Sequence, residues 1–499
     1  MLLSNYLHNG ELLAAQAAAA VAMHYSSRGR KRGSRSGSKS RTRHRRTVRA
    51  IYDCLGGYYF RRAYRMMFQS FCKLHEKIKE GIEAAHKEML KKRRRQHRKL
   101  RRNKPGDGRG SKPNLPPIPN GTIHTSVRRA CALRYFAGGS PVDIMVQYGI
   151  SYTEVIDSDS VWYVVEATNK VEEWFISYPS SRDEQLRIAN EFKSKSAVEF
   201  DVCAGTIDGV LIWIHKPTIA EAKRAAVDQL KLFCGRKHKY GLNCQVVCDA
   251  RGRFLDISIT YGGASSDLLA FENSELFERL QNQNLLHDGL VLFGDNAYLN
   301  SPFMATPYTN VSSGPKDNYN FYHSQLRIRI ECAFGMLVQR WGILRMAMPK
   351  GISIKKTITM VNALAKLHNF CINEVDGESR STMIVDEPLA ADTAYIEGDN
   401  AGFVSLSQNL EASIVLNENV DTPDDLIGGG DHFDDIPRAA RRVREQITLP
   451  RTRLCDHVAK SHKVPNRMRC FCCFCYKNVG KILSLVKYCC DICHENTFS

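Results

Sequence analysis

The sequence predicts an α/β protein in which a helical region precedes the sheet and a small cysteine-rich module follows it. Apolar residues between residues 126 and 163 recur at the three- and four-residue steps of helices. From Ala204 the pattern changes to short runs of apolar and β-branched residues separated by turn residues, which is typical of strands. Eight of the 17 cysteines lie between Cys455 and Cys493, so the end of the chain has a composition of its own.

Charge divides the 499 residues into four blocks. Residues 1–126 hold 30 Lys and Arg against 7 Asp and Glu, whereas residues 374–436 hold 16 acidic residues and one Arg. Residues 127–373 are nearly balanced at +2, and the chain from residue 437 onward carries +9. We therefore predict a basic arm, a folded core, an acidic linker over 374–436 and a small basic module. The formal net charge of +19 favours a polyanion as partner.

The basic arm is predicted to span 1–121, largely disordered, with a possible helix over 51–103. Its runs of Lys and Arg over 28–49 and 91–102 are typical of segments that contact nucleic-acid phosphates, and both fit nuclear localisation signals. A solvated tail is one alternative. An organelle transit peptide is another, since no acidic residue occurs between Leu12 and Tyr52. The tight arginine runs favour the nucleus.

Residues 122–170 predict a helix-turn-helix-like region. Ser140 and Pro141 form a strong helix start, Gly149 ends that helix, and Ser151 caps the next one. This arrangement can place a second helix in a major groove, although helix pairs of this kind are also common in ordinary bundles. Three acidic residues on or just after the second helix are unfavourable for phosphate contact, and they are Glu154, Asp157 and Asp159.

The β-like part of the chain places acidic residues beside predicted strands. Strands are expected at four places, the first of them a hairpin: 206–214, 245–248, 254–260 and 291–293. Asp208 and Asp295 lie at or next to strand ends. Aspartate is unfavourable in a β-strand, so its presence there suggests that the carboxylate has a function. Both are therefore candidates for a functional site.

A later helix supplies a third acid. Its apolar stripe has helical spacing and consists of Leu326, Ile330, Phe334, Leu337 and Trp341. Glu331 adjoins this stripe, so it can project towards the sheet. Two aspartates and a glutamate suit a hard divalent cation, and two such ions can assist phosphodiester displacement. Spacing alone is weak support, because 52 acidic residues offer many such triples.

Several motifs, in order, make the pattern specific. They include GTIDGVLIWIHKP, LFGDNAYLNSPFMATPY and RIRIECAFGMLVQRWGILR, with matching stretches between about residues 126 and 373. This part of the chain closely resembles the Harbinger-type transposases of the DDE superfamily of endonucleases. The resemblance implies an RNase H-like domain over 200–373, with a mixed sheet flanked by helices.

The resemblance also implies roles for individual residues. Asp208, Asp295 and Glu331 fall on the family's catalytic triad, which would hold Mg²⁺ or Mn²⁺ as a two-ion site. Asp267 falls at an additional acidic position, either as a supporting residue or as a turn or helix cap. Four basic residues are expected to contact DNA, with surface charge as the alternative for the first three: Arg236, Lys237, Lys239 and Arg327.

The implied function is metal-dependent cleavage at transposon ends followed by strand transfer onto target DNA. By analogy with the family, a Myb-like DNA-binding partner and a homo-oligomer are expected. The alternative is a domesticated DNA- or chromatin-binding protein that has lost transposition. The nucleus is the expected location. No membrane association is expected, since no apolar run approaches the roughly 20 residues needed to span a bilayer.

The cysteine-rich module over 455–499 predicts a structural zinc site. Paired C-x-x-C knuckles about 15 residues apart can bring four thiolates to one tetrahedral Zn²⁺. Two registers remain open for the first knuckle, and the candidate ligands are Cys470, Cys472, Cys473, Cys475, Cys490 and Cys493. Cys489 and His494 are spare candidates, and Cys455, His457 and His462 could supply a second site.

Overall fold

The computed structural model of the chain describes residues 45–102, 122–156, 159–287, 289–375, 450–461 and 463. The first six helices of the described residues are α1 (Val48–Tyr64), α2 (Phe68–Arg102), α3 (Thr125–Phe136), α4 (Pro141–Tyr148), α5 (Tyr152–Ile156) and α6 (Asp159–Asn169). Among the described residues, no helix is both long enough and apolar enough to cross a membrane.

Helices α1 and α2 occupy the part of the basic arm where a possible helix over 51–103 is predicted, and the rest of the arm lies outside the described residues. In place of one helix there are two, separated where Arg65 takes a left-handed conformation with φ 61°. One stripe of α2 is fully buried and consists of Phe71, Leu74, Ile78 and Ile82. This stripe is hard to recognise in the sequence, because it is only one side chain wide and many other residues of α2 are charged. Among the described side chains of α2 the last buried one is Ala85, and Lys92, Arg94 and Arg95 are exposed.

Within the predicted helix-turn-helix-like region, helix α4 begins and ends at the residues that the sequence indicates. Ser140 caps α4 by accepting a hydrogen bond from the backbone N–H of Val142, and Gly149 ends the helix at φ 62°. Glu154 lies 2.7 Å from Arg128, whose side chain is 5% exposed. One of the acidic residues that argued against phosphate contact is therefore neutralised inside the fold. Asp157 lies outside the described residues.

A mixed sheet forms the centre of the next part of the chain. Its strands are β1 (Cys203–Trp213), β2 (Phe233–Cys234), β3 (Lys239–Cys248), β4 (Phe254–Gly262), β5 (Val291–Phe293) and β6 (Met304–Ala305). Central strand β1 pairs antiparallel with β3 and parallel with β5. Strand β3 also pairs antiparallel with β2 and β4, and β6 runs parallel beyond β5. This is the mixed sheet that the sequence predicted.

The hairpin predicted over 206–214 is wrong, because these residues form one continuous strand. Strand β1 stays paired with β3 from Thr206, opposite Cys248, to Trp213, opposite Gly241. Gly209 lies within this strand, opposite Gln245.

Helices flank both faces of the sheet. They are α7 (Arg182–Lys193), α8 (Ile219–Arg224), α9 (Asp267–Glu272), α10 (Glu275–Asn282), α11 (Pro315–Arg340), α12 (Ile354–Val375) and α13 (Pro450–Lys460). Because side chains alternate along a strand, Val246 faces the core shared with α1–α6 and α12, and Val247 faces the core shared with α7, α9 and α10. Helix α11 contributes Leu326 to the second core and Ile330 to the first, so it spans the two.

Helix α13 joins the domain from far along the chain. Leu454 and Val458 are buried in the same core as Tyr322 of α11. The Arg451 guanidinium donates a hydrogen bond to the carbonyl oxygen of Pro307 at 3.3 Å. The first part of the predicted cysteine-rich module is therefore packed against the sheet domain. Most of the predicted acidic linker lies outside the described residues.

Candidate active site

Asp208 lies on the central strand, at a point where β1 has run past the end of β5. Its side chain is 19% exposed, and its Oδ1 accepts a hydrogen bond of 2.7 Å from the backbone N–H of Gly209. Burial and the neighbouring Asp295 carboxylate raise the pKa of Asp208 to about 7. A carboxyl group in these surroundings carries a negative charge that its neighbours only partly balance.

Asp295 lies two residues after β5, in the turn that follows the strand. Its Oδ1 accepts a hydrogen bond of 2.9 Å from the backbone N–H of Ala297. Burial raises the pKa of Asp295, and the nearby charge of Asp267 raises it further, although Arg327 and Arg236 act in the opposite direction. The structure therefore brings Asp208 and Asp295 together, although 86 residues separate them in the sequence.

Glu331 reaches the same place from α11 in company with Arg327, one helical turn earlier. The Arg327 guanidinium donates a short hydrogen bond to Oε1 of Glu331 through Nη2. Its Nη1 lies 3.7 Å from Oδ2 of Asp208. Arg327 thus connects the acid on the helix with the acid on the central strand. Sequence reasoning had assigned Arg327 to DNA contact, whereas the structure pairs it with carboxylates.

Asp267 is the fourth acid at this place. Its Oδ1 accepts hydrogen bonds of 3.0 Å from the side-chain amides of Asn243 and Gln245. A Cβ atom on Gly209 would lie 2.0 Å from the same oxygen, so only glycine leaves room for this carboxylate beside β1. Asp267 is not the helix cap considered as an alternative, because Ser266 caps α9 by accepting from the N–H of Leu269.

Two residues that the sequence reasoning missed lie beneath Asp267. The Tyr298 hydroxyl donates a 2.5 Å hydrogen bond to Oε1 of Gln245, and both side chains are almost fully buried. A signal for one of them was present: Asn243 and Gln245 alternate with apolar residues on β3 and therefore share one face of the strand. Nothing in the sequence pattern marked Tyr298.

The chemistry of the donors partly fits a hard divalent cation. Asp208 and Asp295 offer carboxylate oxygens, which Mg²⁺ and Mn²⁺ prefer, and their mutual charge would be balanced by a cation. Glu331 also offers carboxylate oxygens, but Arg327 binds one of them. Within the described residues, no three acidic, histidine or cysteine side chains are already arranged as a metal site.

A basic turn lies close to the acids. Arg236, Lys237 and Lys239 are exposed in the connection between β2 and β3, and the positive charge of Arg236 reaches Asp295. Lys239 is partly engaged, since its Nζ lies 3.3 Å from the ring centre of Trp213. The structure therefore places one end of this predicted DNA-contact segment beside the candidate active site.

The predicted zinc ligands Cys470, Cys472, Cys473, Cys475, Cys490 and Cys493 lie outside the described residues. Of the three candidates for a second site, His462 lies outside the described residues, Cys455 is buried in α13, and His457 hydrogen-bonds the carbonyl oxygen of Val198 at 2.8 Å. Both side chains are used in packing α13 on the domain, which does not favour a second zinc site there.

Comparison with known protein families agrees with the geometry. The sequence model described as DDE superfamily endonuclease matches residues 207–369, a segment that contains Asp208, Asp295 and Glu331. This segment is a DDE superfamily endonuclease domain. The match includes the last seven residues of β1, all of β2 to β6, helices α8 to α11 and most of α12.

The relatives that match this part of the chain are named as nucleases. The protein named "Putative nuclease HARBI1" from Bos taurus is 23% identical over 244 residues, which cover 48% of this chain and 65% of that protein. The protein of the same name from Xenopus laevis is 25% identical over 272 residues, covering 51% of this chain and 71% of that protein. The chain thus spans just under two thirds of the bovine protein. No solved structure matches it.

Proposed function

We propose that the chain is a DDE-type DNA endonuclease and transposase that performs divalent-metal-dependent phosphodiester hydrolysis followed by strand transfer. The observation that carries the proposal is the convergence of Asp208, Asp295 and the Arg327–Glu331 pair from β1, the turn after β5, and α11. These groups come from three segments that are distant in the sequence, and folding brings them to one place.

The sheet supports the finer assignment of an RNase H-like fold. Three antiparallel strands, β4, β3 and β1, continue into the parallel strands β5 and β6. The central strand carries one acid, and the adjacent parallel strand leads directly to the second. This order places both acids at the same edge of the sheet, while α11 crosses that region and brings the third.

Asp208, Asp295 and Glu331 would hold the divalent ions of the proposed reaction. When bound, such ions lower the pKa of a water nucleophile and stabilise the leaving oxygen of the phosphodiester. Within this chain, burial keeps the carboxylates in a medium of low dielectric, where their charges act strongly. Burial disfavours the ionised form of Asp208 and thereby raises its pKa.

Arg327 is suited to a second task once phosphate is present. A guanidinium offers planar pairs of N–H donors that match phosphate oxygens as well as carboxylates. Its position between Asp208 and Glu331 keeps it at the centre of the candidate site. We therefore propose that Arg327 orients the scissile phosphate, which reconciles its predicted DNA contact with its observed carboxylate pairing.

DNA is expected to be held by positive charge at two places. The turn that contains Arg236, Lys237 and Lys239 lies beside the acids, and Lys91 to Arg102 form the basic end of α2, where Lys92, Arg94 and Arg95 are exposed. Each phosphate that such residues neutralise releases counterions, so binding should weaken steeply with salt. Nuclear location, a Myb-like partner, a homo-oligomer and a terminal zinc module stay predictions of this proposal.

A cleavage assay on DNA with Mg²⁺ or Mn²⁺ tests the proposal. The unmodified protein should cut DNA only with the metal, and Asp208→Ala, Asp295→Ala and Glu331→Ala should each abolish cutting while the protein remains folded. Asp183→Ala, an exposed acid at the start of α7, serves as the control and should cut normally. Unchanged cutting by all three site variants would overturn the assignment.

The same assay separates transposition from the alternative of a domesticated protein. Joining of a free 3′-hydroxyl to a second DNA duplex supports the transposase. Cutting without joining supports a nuclease alone. Binding to DNA with neither activity supports a DNA- or chromatin-binding protein. Terminal inverted repeats and a short target duplication around the gene would independently indicate a mobile element.

A further inference from the structure

A closed hydrogen-bond network lies beneath the candidate active site. The Tyr298 hydroxyl donates to Oε1 of Gln245, and Nε2 of Gln245 donates to Asn243 Oδ1 at 2.8 Å and to Asp267 Oδ1 at 3.0 Å. Nδ2 of Asn243 donates to Asp267 Oδ1 at 3.0 Å and to the carbonyl oxygen of Ser265 at 3.2 Å. Every amide hydrogen of the two side chains therefore has an acceptor.

The Asp267 carboxylate, at one end of the network, determines which groups donate and which accept along it. An ionised carboxylate only accepts hydrogen bonds, so both amide nitrogens must face Asp267. The carbonyl oxygen of Gln245 is then turned to Tyr298, which is the group that can donate to it. Gln245 and Tyr298 are 4% and 3% exposed, so water cannot readily replace either partner.

Two further contacts connect the network to the acids of the site. Asp267 occupies the space beside Gly209, the residue that follows Asp208 in β1. Tyr298 belongs to the turn that carries Asp295, and its backbone N–H donates to the carbonyl oxygen of Asp295 at 3.3 Å. The network therefore fixes the helix that bears Asp267, the central strand and the Asp295 turn relative to one another.

We propose that Asp267 is a fourth functional carboxylate of the site, a ligand or charge partner of the divalent ion, and that Gln245, Asn243 and Tyr298 are positioning residues that hold it. This inference rests on the proposed function. Neutral amides orient the carboxylate without cancelling its charge, in contrast to a guanidinium partner. Both hydrogen bonds that the described side chains make to Asp267 end on Oδ1, which leaves the lone pairs of Oδ2 for a cation.

Metal binding measured on the full chain tests the inference. Mn²⁺ titration by calorimetry, without DNA, should show that Asp267→Asn weakens binding by roughly 10- to 100-fold, and Tyr298→Phe by a smaller factor, because residues that orient metal-binding groups have effects of this size. The Mg²⁺ concentration for half-maximal cleavage should rise in parallel. The control is Glu272→Gln, an exposed acid on the same helix α9, which should bind Mn²⁺ normally.

A double variant distinguishes positioning from general stabilisation. If Tyr298 acts through Asp267, adding Tyr298→Phe to Asp267→Asn should weaken Mn²⁺ binding no further than Asp267→Asn alone. Independent, multiplicative effects would show that Tyr298 has only a structural role and would overturn that part of the proposal. Melting temperatures of all variants establish that each is folded when it is titrated.

The outcome also distinguishes this inference from the proposed function. Asp208→Asn serves as the reference variant in the same titration. If Asp208→Asn loses Mn²⁺ binding and Asp267→Asn binds normally, the fourth-carboxylate proposal is overturned and the endonuclease proposal stands. If the unmodified chain itself binds no Mn²⁺, the metal-dependent function fails, and this inference fails with it.

Discussion

Two carboxylates at the candidate site, Asp267 and Glu331, are held in opposite ways. Asp267 accepts hydrogen bonds from the neutral amides of Asn243 and Gln245, whereas Glu331 accepts one from the Arg327 guanidinium. An amide orients a carboxylate and leaves its charge, but a guanidinium also neutralises it. The site therefore has a negative side at Asp208, Asp295 and Asp267, and a balanced side at α11.

Asp208 lies between the two sides, and its pKa shows that negative charge exceeds positive charge around it. Arg327 lowers the pKa of Asp208, but burial and the charges of Asp295 and Asp267 outweigh it and raise that pKa to about 7. The charge of another buried aspartate in the domain, Asp249, is balanced. Asp249 accepts hydrogen bonds from Arg253 Nε at 2.7 Å and from two backbone N–H groups. Charge is thus left unbalanced at Asp208 and matched at Asp249, as the proposed role of Asp208 requires.

The largest expected effect comes from neutralising the negative side. Asp208→Asn should abolish cleavage and yet stabilise the fold above pH 7. An acid whose pKa is 3.8 unfolded and about 7 folded holds its proton more tightly in the folded state, so ionisation costs stability as the pH rises through that window. At about 1.4 kcal/mol per pKa unit, the gain at pH 8 is a few kcal/mol. Urea unfolding at pH 8 measures it.

Asp249→Asn is the matched control for that stability change. Removing its charge breaks an ion pair with Arg253 that is buried on the aspartate side, so the free energy of unfolding should fall by about 3 kcal/mol. A loss of stability in both variants would contradict the contrast between the two aspartates.

The balanced side is tested next, through Arg327. Arg327→Met should reduce the cleavage rate roughly a hundredfold, the usual loss when one preorganised donor to a reacting oxygen is removed. Arg327→Lys should recover only part of the rate, because an ammonium group cannot contact Asp208 and Glu331 as a planar fork does. Arg329→Met, two residues further along α11, loses the same charge and should keep its activity.

A smaller effect is expected from pH. Below its pKa of about 7, Asp208 is protonated and must release a proton to bind a cation. Mn²⁺ affinity should therefore fall by up to about tenfold for each pH unit below 7 and level off above it. Calorimetric titrations of the unmodified protein at pH 6, 7 and 8 measure this. Equal affinity at all three pH values would contradict the raised pKa.

The smallest effect is expected at the basic turn. Arg236→Gln should raise the KM for DNA severalfold and reduce the salt dependence of binding by about one phosphate contact, with little change in kcat. Because Arg236 lowers the pKa of Asp295, the variant should also shift the pH profile slightly upward. Arg182→Gln, exposed on α7, is the control. A salt dependence identical to that of the unmodified protein would remove Arg236 from the DNA contact.

Much of the secondary structure around the site was predictable, because it depends on local patterns. Ser140, Pro141 and Gly149 define α4 by capping and turn geometry. The apolar run at Val291–Phe293 marks β5, and the stripe from Leu326 marks α11. The failed hairpin at Gly209 had a local reason too: a glycine within a β-like run is ambiguous between a turn and a close approach.

By itself, the sequence determined the α/β class, the order of the elements and the three acids Asp208, Asp295 and Glu331, since periodicity and motifs are carried by neighbouring residues. Only the tertiary structure decided that Arg327 pairs with two of those acids and that Tyr298, Gln245 and Asn243 hold Asp267. These contacts join residues up to 119 positions apart. Hydrogen bonds act over about 3 Å in space, so a polar residue becomes a partner only when folding brings its acceptor within that distance.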